Sequence, residues 1–579
     1  MKNKDFIKRV VASAIAAPVL LSFIINAYAA NIDEGDVGAV EERPTLQAVV
    51  YEQPTQLYED YLNGDVEVDE NSGVGISPYE VSGSTLAPGF DLPSSHRSVC
   101  TPVRDQGSYQ TCWAFSAMAS LESFLLKNGK GERDLSEQHL SWWATSDYNR
   151  DGTGWQMNGL TVGGYNMIST GYLMSWQGAK NENDLPYYVG GNNLPDNMDS
   201  VGNSYNVTGI VYVGEDIQSV KTAVYKYGAV ATSYNSANYY NYGRTAYYQP
   251  GPTSRMSGHA VAIVGWDDNY SKENFSSVAR PSSDGAWLVK NSWGDDVCDN
   301  GYLWISYEDF YILDTSIWGM NYSITSARTA NPYDKLYQNE TYGATYSLQI
   351  LDTSADRYCE SATFINVFNF DDAHNILEKV IFETKNENSR YTVSYIPVVD
   401  DKPTTNTALW TLLASGTADE VGYISVDIPN FSVPAGVGAI GVTIDAADSN
   451  TGFAIVGVDE WLTNADNEYL FVPDTKRNQS YICYNDSMYD IVDVYANQDD
   501  SIGGNLVIKA LTTTNRLGDV NLDGNISILD AYAVMRSCIG LISLSDYTSI
   551  NADVDLNGSI NLKDAYYIQR RSINLISDF

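Results

Sequence analysis

Cys112 lies in the run Gln106-Gly-Ser-Tyr-Gln-Thr-Cys112-Trp-Ala-Phe-Ser, where a glycine-containing loop passes straight into a helix-forming stretch. Two later runs answer it: Gly258-His259-Ala-Val and Lys290-Asn291-Ser-Trp293-Gly294. A thiol, an imidazole and two carboxamides are the groups a thiol hydrolase needs. A cysteine with an unperturbed pKa of about 8.5 is mostly protonated at neutral pH, and a helix N-terminus or an adjacent imidazolium lowers that value. Cys112 has the first influence by its place in the sequence. His259 would supply the second and then protonate a leaving amine. Asn291 would hold the far imidazole nitrogen, and Trp293 would shield that bond from water. The Gln106 carboxamide and the backbone N–H of Cys112 would hold a developing oxyanion. Of the four histidines, His96, His139 and His374 read as surface or core residues.

These groups need particular elements behind them. Phe115, Met118, Leu121 and Leu125 recur at helical spacing, and Asn128-Gly129 supplies a stop, so a helix is expected over 112–127. A second short helix should begin near Ser136. From Asn206 onward the pattern turns to strands. His259–Trp266 and Ala286–Asn291 read as two half-buried strands that could pair antiparallel and bring His259 near Asn291. After Ser323, alternating segments such as Lys379–Thr384, Tyr391–Ile396, Ile424–Ile428 and Val437–Ile444 form an all-β sandwich pattern ending near Leu506–Ala510.

Taken in order, the Gln106–Cys112 run, Leu135-Ser-Glu-Gln138, Gly163-Gly164-Tyr165, Gly258-His259, Lys290–Gly294 and Asn300-Gly301-Tyr302 resemble the papain family of cysteine peptidases over residues 88–322. The resemblance implies an α+β fold of two lobes, a helical one carrying Cys112 and a β-rich one carrying His259 and Asn291, with the substrate in the cleft between them. It implies that the backbone of Gly163 and Gly164 pairs with an extended peptide, where glycine leaves room for an approaching strand. Gly258, Ala260 and Trp293 then join them in lining the substrate site. Two departures stand out. Tyr109 occupies the place of a cysteine that the family pairs in a disulfide, and Gln110-Thr111 replaces smaller residues, which puts the rigidity of the loop in question. No long helical inhibitory pro-domain is recognisable in 30–87, so control by that route is not expected. The β unit resembles the lectin-like domain that follows some bacterial papain-like peptidases, with sugar, protein and a structural role all open for it.

The tail contains an internal repeat. Asp519, Asn521, Asp523, the Asn525 carbonyl, Ser527 and Asp530 fall at positions 1, 3, 5, 7, 9 and 12 of an EF-hand-type loop, with Gly524 at the turn. Asp553, Asp555, Asn557, the Ser559 carbonyl, Asn561 and Asp564 repeat the set, with Gly558 at the turn. A helix should follow each loop, and none is evident before either. Two such units in tandem resemble a type I dockerin over 516–579. That resemblance implies two Ca²⁺ ions and docking onto a cohesin module of a scaffoldin, as in a cellulosome, through Ile528, Leu529, Met535 and Arg536 or Leu562, Lys563, Gln569 and Arg570.

Length and charge bound the rest. The 579 residues are too many for one core. A net charge of −39 and a pI near 4.2 argue against nucleic acid and anionic membranes as partners. Lys2, Lys4, Lys8 and Arg9, an apolar run over 10–25 and Ala27-Tyr28-Ala29 read as a cleaved secretory leader over 1–29, leaving no membrane anchor. Six cysteines are too sparse for a disulfide scaffold, with Cys100–Cys298 and Cys359–Cys483 as candidate bridges. The expected chain is multidomain: a leader (1–29), a pro-segment or arm (30–87), a papain-like peptidase (88–322), a lectin-like β-sandwich (323–511) and a small α-type dockerin (516–579). The expected function is a secreted, scaffold-tethered cysteine endopeptidase acting on protein or peptide, with no cofactor in catalysis. The rival is a scaffold-bound adhesion or carbohydrate-binding protein with a degenerate peptidase domain.

Overall fold

The computed structural model describes residues 46–576, apart from 52–54, 70–71, 78–79, 90, 145–151, 189–200, 238, 332, 341, 461, 464–468, 496–503, 515–516, 522, 524, 545 and 556. The leader read at 1–29 and the turn glycine Gly524 lie outside the described residues.

The helical lobe is built on Cys112–Lys127, whose residues from Cys112 through Leu125 are all buried. A helix apolar on every side belongs inside a lobe. Glu137–Trp143 and Asn166–Met174 pack around it. Ser136 caps the first of these by accepting from the His139 N–H, as its place ahead of Glu137 suggests. The β-rich lobe centres on the strand Gly258–Asp267, which pairs antiparallel with Val230–Asn235 on one side and Ala286–Lys290 on the other. That second pairing is the one expected from the sequence.

One sheet runs through both large units. Gly422–Ser432 of the β unit pairs antiparallel with Tyr205–Tyr212 of the peptidase lobe, through Gly422 opposite Val211 and Tyr423 opposite Ile210. Strands Lys335–Tyr337, Ile508–Thr513 and Ile376–Thr384 extend the sheet beyond that seam, and Tyr322–Thr329, Val230–Asn235 and Gly258–Asp267 continue it toward the base. A second sheet, with Ser389–Val399, Gly436–Asp445, Ser361–Phe370 and Ser480–Tyr484 at its centre, supplies the other layer of the sandwich. Shared backbone hydrogen bonds join the two units more firmly than a linker would.

Residues ahead of Pro88, which read as a segment without periodic structure, hold a helix and two strands, the shorter of which, Glu67–Val68, pairs parallel with Arg255–Met256. Leu46–Val50 adds to the edge strand Tyr346–Asp352 of the β unit, burying Leu46 and Ala48. Gln56–Asn63 follows, capped by Thr55. Partners far along the chain impose this structure, so it leaves little local pattern.

The tail packs Ile528–Cys538 against Leu562–Ser572 around Val520, Ala531, Val534, Ala552, Val554, Ala565 and Ile568. The expectation of no helix ahead of either loop needs correction: Asp546–Ala552 forms one before the second loop. Its sequence is polar, and the burial of Ala552 in this small core accounts for it better than any periodicity. No described helix is long and apolar enough to cross a membrane. All six cysteines are free thiols, so neither candidate bridge forms.

Candidate active site

The nucleophile helix and the base strand meet along two contacts one helical turn apart. The backbone N–H of Ala260 donates to the Cys112 Sγ at 3.3 Å, and the Ser116 hydroxyl donates to the Val261 carbonyl at 2.8 Å. His259, next to Ala260, brings its Nε2 within 2.7 Å of the Asn291 Oδ1. The Trp293 ring stacks on the imidazole, with centroids 4.5 Å apart and planes 24° from parallel. The antiparallel register of the two strands, Lys290 opposite Ala262, sets Asn291 beside the base.

The Gln106 side chain is fixed at both ends. Its Nε2 donates to the Tyr109 carbonyl at 2.8 Å, and its Oε1 accepts from the Ser292 hydroxyl at 2.6 Å. The second bond ties the oxyanion side of the site to the asparagine loop. Sequence reading passed over Ser292, whose only signal was its place between Asn291 and Trp293. Beneath the site, Lys290 Nζ donates to the Thr101 hydroxyl at 2.8 Å and lies 3.8 Å from Glu122, all three residues being buried. Glu122 also accepts from the Leu135 N–H at 2.9 Å, so this polar cluster joins the lobes from within. His139 is buried with its Nδ1 2.7 Å from the Tyr172 hydroxyl, and His374 sits 2.8 Å from Asp371; neither faces the thiol.

The cleft is not open. Residues 72–74 cross it as an irregular segment, with Val74 bridged to both Gly164 and Gly258. Gly73 and Val74 donate their N–H groups to the Gly258 carbonyl at 2.9 and 3.2 Å, and the Ser72 hydroxyl accepts from the Gly258 N–H at 2.8 Å. On the other side Gly164 donates to the Gly73 carbonyl at 3.3 Å, with Val74 running parallel to Gly164. The glycines leave the room this needs. A Cβ on Gly163, where φ is +89°, would sit 2.7 Å from the Gly73 oxygen, and one on Gly258 would sit 2.4 Å from the Val74 oxygen. Of the substrate-lining residues read from the sequence, Gly163, Gly164 and Gly258 thus meet a segment of the same chain, while Ala260 lies on the Cys112 sulfur and Trp293 on the His259 ring.

This cover decides the electrostatics. Burial pushes the Cys112 thiol up to about 12, against the downward pull of the Ala260, Trp113 and Cys112 N–H groups. Burial likewise pushes His259 down to about 4, against the raising effect of its bond to Asn291. The sequence led us to expect a depressed thiol pKa; beneath residues 72–74, lost hydration outweighs the helix N-terminus, and thiol and imidazole are both neutral.

In the tail, ligand oxygens of Asp553, Asp555 and Asp564 lie within 4.8 Å of one another. Ca²⁺ takes oxygen ligands at about 2.3–2.6 Å, so a separation of this size fits the ion. Asp564 is fully buried and accepts from the Val554 N–H at 3.1 Å and the Asn561 N–H at 2.9 Å. Asp530 repeats this role in the first loop, accepting from Val520, Asn521 and Ser527. Asp519 there accepts from the Tyr333 hydroxyl of the preceding unit at 2.7 Å. Ile528, Leu529, Met535 and Leu562 are exposed on the two tail helices.

Models of the papain family cysteine protease, of a lectin-like domain and of a dockerin type I domain match residues 86–317, 336–512 and 517–571. The crystal structure of the cysteine protease and lectin-like domains of Cwp84, a surface layer associated protein of Clostridium difficile, superposes with a TM-score of 0.70 at 35% identity, covering 82% of this chain and 99% of that one. A second Cwp84 structure, determined after propeptide cleavage, gives 0.63 at 38% identity, covering 72% and 97%. Digestive cysteine proteinase 3 of Homarus americanus is 31% identical over 221 residues, 37% of this chain and 61% of that protein, so the chain spans less than two thirds of that relative. Aligned through both its protease and lectin-like portions with the clostridial structure, and ending in a dockerin type I domain, the chain belongs to the papain family of cysteine proteases.

Proposed function

We propose that the protein is a secreted cysteine endopeptidase, made as a precursor whose arm over residues 46–86 covers its own cleft. Cys112 is the nucleophile. His259 takes its proton and returns it to the leaving amine, and Asn291 orients the imidazole without leaving a charge behind it. The backbone N–H of Cys112 and the Gln106 carboxamide receive the oxyanion of the tetrahedral intermediate. The site needs no metal for these steps. The observation that carries the reading is the Ala260 N–H on the Cys112 sulfur while the adjacent His259 bonds Asn291, which supports pairing the thiol with this histidine.

The tail tethers the enzyme. Asp519, Asn521, Asp523, Asn525, Ser527 and Asp530 would hold one Ca²⁺, and Asp553, Asp555, Asn557, Ser559, Asn561 and Asp564 another. Each loop–helix unit has a small core, so the ions supply folding energy. The exposed helix residues Ile528, Leu529, Met535 and Leu562 suit a cohesin module, and hence a cellulosome-like scaffold. A carbohydrate ligand suits the lectin-like domain.

The test is an epoxide-type thiol trap together with a mixed peptide library. Labelling of Cys112, with hydrolysis lost in Cys112→Ala, is the expected result. A His259→Ala protein with full activity would overturn the assignment.

A further inference from the structure

The loop from Gln106 to Cys112 has lost the disulfide cysteine that the family places at Tyr109, yet it carries both the oxyanion donor and the nucleophile. The structure supplies another fastening. The Tyr187 hydroxyl lies 2.9 Å from the Gln106 carbonyl and 2.6 Å from the Thr111 Oγ1, so one oxygen touches both ends of the loop. The carbonyl can only accept, so the tyrosine proton goes to Gln106 and the Thr111 hydroxyl donates to the tyrosine oxygen. Tyr187 is itself held: its N–H donates to Glu182 at 2.5 Å, and its ring meets Phe115 of the nucleophile helix edge to face, centroids 4.9 Å apart.

A second observation concerns the helix. Thr111 is its N-cap residue, and a threonine there ordinarily accepts from an N–H of the first turn. Here the Thr111 side chain makes no capping bond. It is fully buried and turned toward Tyr187 instead. The first-turn N–H groups stay directed at the sulfur, where those of Cys112 and Trp113 both favour the thiolate.

We propose that Tyr187 is a positioning residue of the catalytic centre: it clasps the Gln106–Thr111 loop in place of the missing disulfide and holds the Thr111 hydroxyl away from the N-terminus of the nucleophile helix. The inference rests on the peptidase reading above. It assigns two consequences to one oxygen. Loss of the clasp loosens Gln106, which acts only on the transition state, so kcat falls while KM changes little. Loss of the clasp also frees a buried hydroxyl to compete with the thiolate for helix N–H groups, so the thiol pKa rises. The groups facing this region are Glu182, which accepts from the Tyr187 N–H, and Glu137, Tyr109 and Asp105 around Tyr187. A tyrosine-to-phenylalanine change leaves all of them in place.

The experiment compares wild type with Tyr187→Phe, Thr111→Val and the double variant, each expressed as the full chain and assayed after the arm ahead of Pro88 has been released. Peptide hydrolysis and the pH dependence of Cys112 alkylation by iodoacetamide are measured for each. Tyr187→Phe is expected to lose about tenfold in kcat, and its alkylation midpoint should move to higher pH. Thr111→Val should lose kcat without that shift, because no hydroxyl is left to compete, and the double variant should match Thr111→Val. Wild-type kcat and an unmoved midpoint in Tyr187→Phe would overturn the inference. If that variant does not fold, wild-type kcat in Thr111→Val would overturn it equally. A wild-type chain that, after release of the arm, neither hydrolyses peptides nor alkylates at Cys112 would instead count against the peptidase reading itself.

Discussion

A methyl group added to Gly73 would stand 2.3 Å from the Cys112 sulfur, closer than any real contact allows. Glycine is what lets residues 72–74 lie against the nucleophile, because a bare Cα brings backbone to the thiol without a clash. The covering segment and the reactive atom are therefore fitted to each other. Gly73→Ala should push the segment off the cleft while leaving the rest of the arm anchored through Leu46–Val50. The unprocessed variant is expected to react with an epoxide thiol trap faster than the unprocessed wild type. Equal rates of labelling, followed by intact-mass measurement, would show that residues 72–74 do not limit access.

The oxyanion role proposed for Gln106 falls on a carboxamide whose oxygen accepts from Ser292 and whose nitrogen donates to the Tyr109 carbonyl. Removing one oxyanion donor typically costs about 10²–10³ in kcat. Gln106→Ala should show a loss of that order and still be labelled at Cys112, since the thiol and His259 are untouched. Steady-state kinetics beside labelling separates the two effects. Loss of labelling in parallel with hydrolysis would mean the substitution disturbs the nucleophile itself.

Much of the site could be read from the chain because its chemistry is written in short runs. Cys112 opens a helix of apolar residues, and His259 and Asn291 sit on strands near enough in sequence to pair. Residues held by distant partners left no such trace. Ser72, Gly73 and Val74 are held in place only because Gly258 and Gly164 offer backbone groups to them. Tyr187 lies beyond any local pattern that includes Gln106 or Thr111. The seam at Tyr423 opposite Ile210 was also hidden, because two residues of cross-domain pairing do not alter the alternation of either strand. The sandwich strands, by contrast, announced themselves by β-branched and aromatic runs between turn residues, although consecutive residues such as Ala362–Asn366 and Val380–Thr384 are buried on both faces.

Acid should loosen the covered form. Burial holds His259 down to about 4, below its ordinary value of 6.5. A histidine whose pKa is lowered by burial favours the covered state at pH above its exposed value, and that preference is lost as pH falls through the window from 6.5 toward 4. Cys112 acts at the other end: its thiol, pushed up to about 12 from 9.0, favours the covered state below 9 and loses that preference as pH rises. Between these windows the cover is tightest. Cleavage of the arm by an added protease, followed by gel as a function of pH in chains carrying Cys112→Ala, should therefore be slow near neutrality and quicken from pH 6.5 to 4.5. In His259→Gln the acid limb should flatten. Acid acceleration unchanged in that variant would assign the effect to other carboxyl groups.

The buried pair under the cleft offers a stability test free of the catalytic groups. Lys290 and Glu122 are both nearly inaccessible, at 5% and 2% exposure, and share the Thr101 hydroxyl. Breaking such a pair leaves a charge or a dipole in a dry interior, at a cost of about 3–5 kcal/mol. Lys290→Met should therefore unfold at a lower denaturant concentration than wild type. Glu122→Gln/Lys290→Met, which removes both charges, should recover part of the loss. A single variant as stable as wild type would mean that the cluster is hydrated and does not hold the lobes together.

Calcium should govern the tail and leave the peptidase alone. Asp553, Asp555 and Asp564 converge, and Asp564 also bonds two backbone N–H groups from inside the unit. Without the ion these carboxylates repel one another around a core of only a few apolar residues. EDTA should lower the helical signal of an isolated 515–579 segment and release the full chain from immobilised cohesin, while hydrolysis of a small peptide persists. Asp564→Ala should need more Ca²⁺ for the same helicity, because it removes an ion ligand and a helix-capping group together. Cohesin binding that survives complete removal of Ca²⁺ would separate docking from the metal and leave the acidic repeat without the role proposed for it.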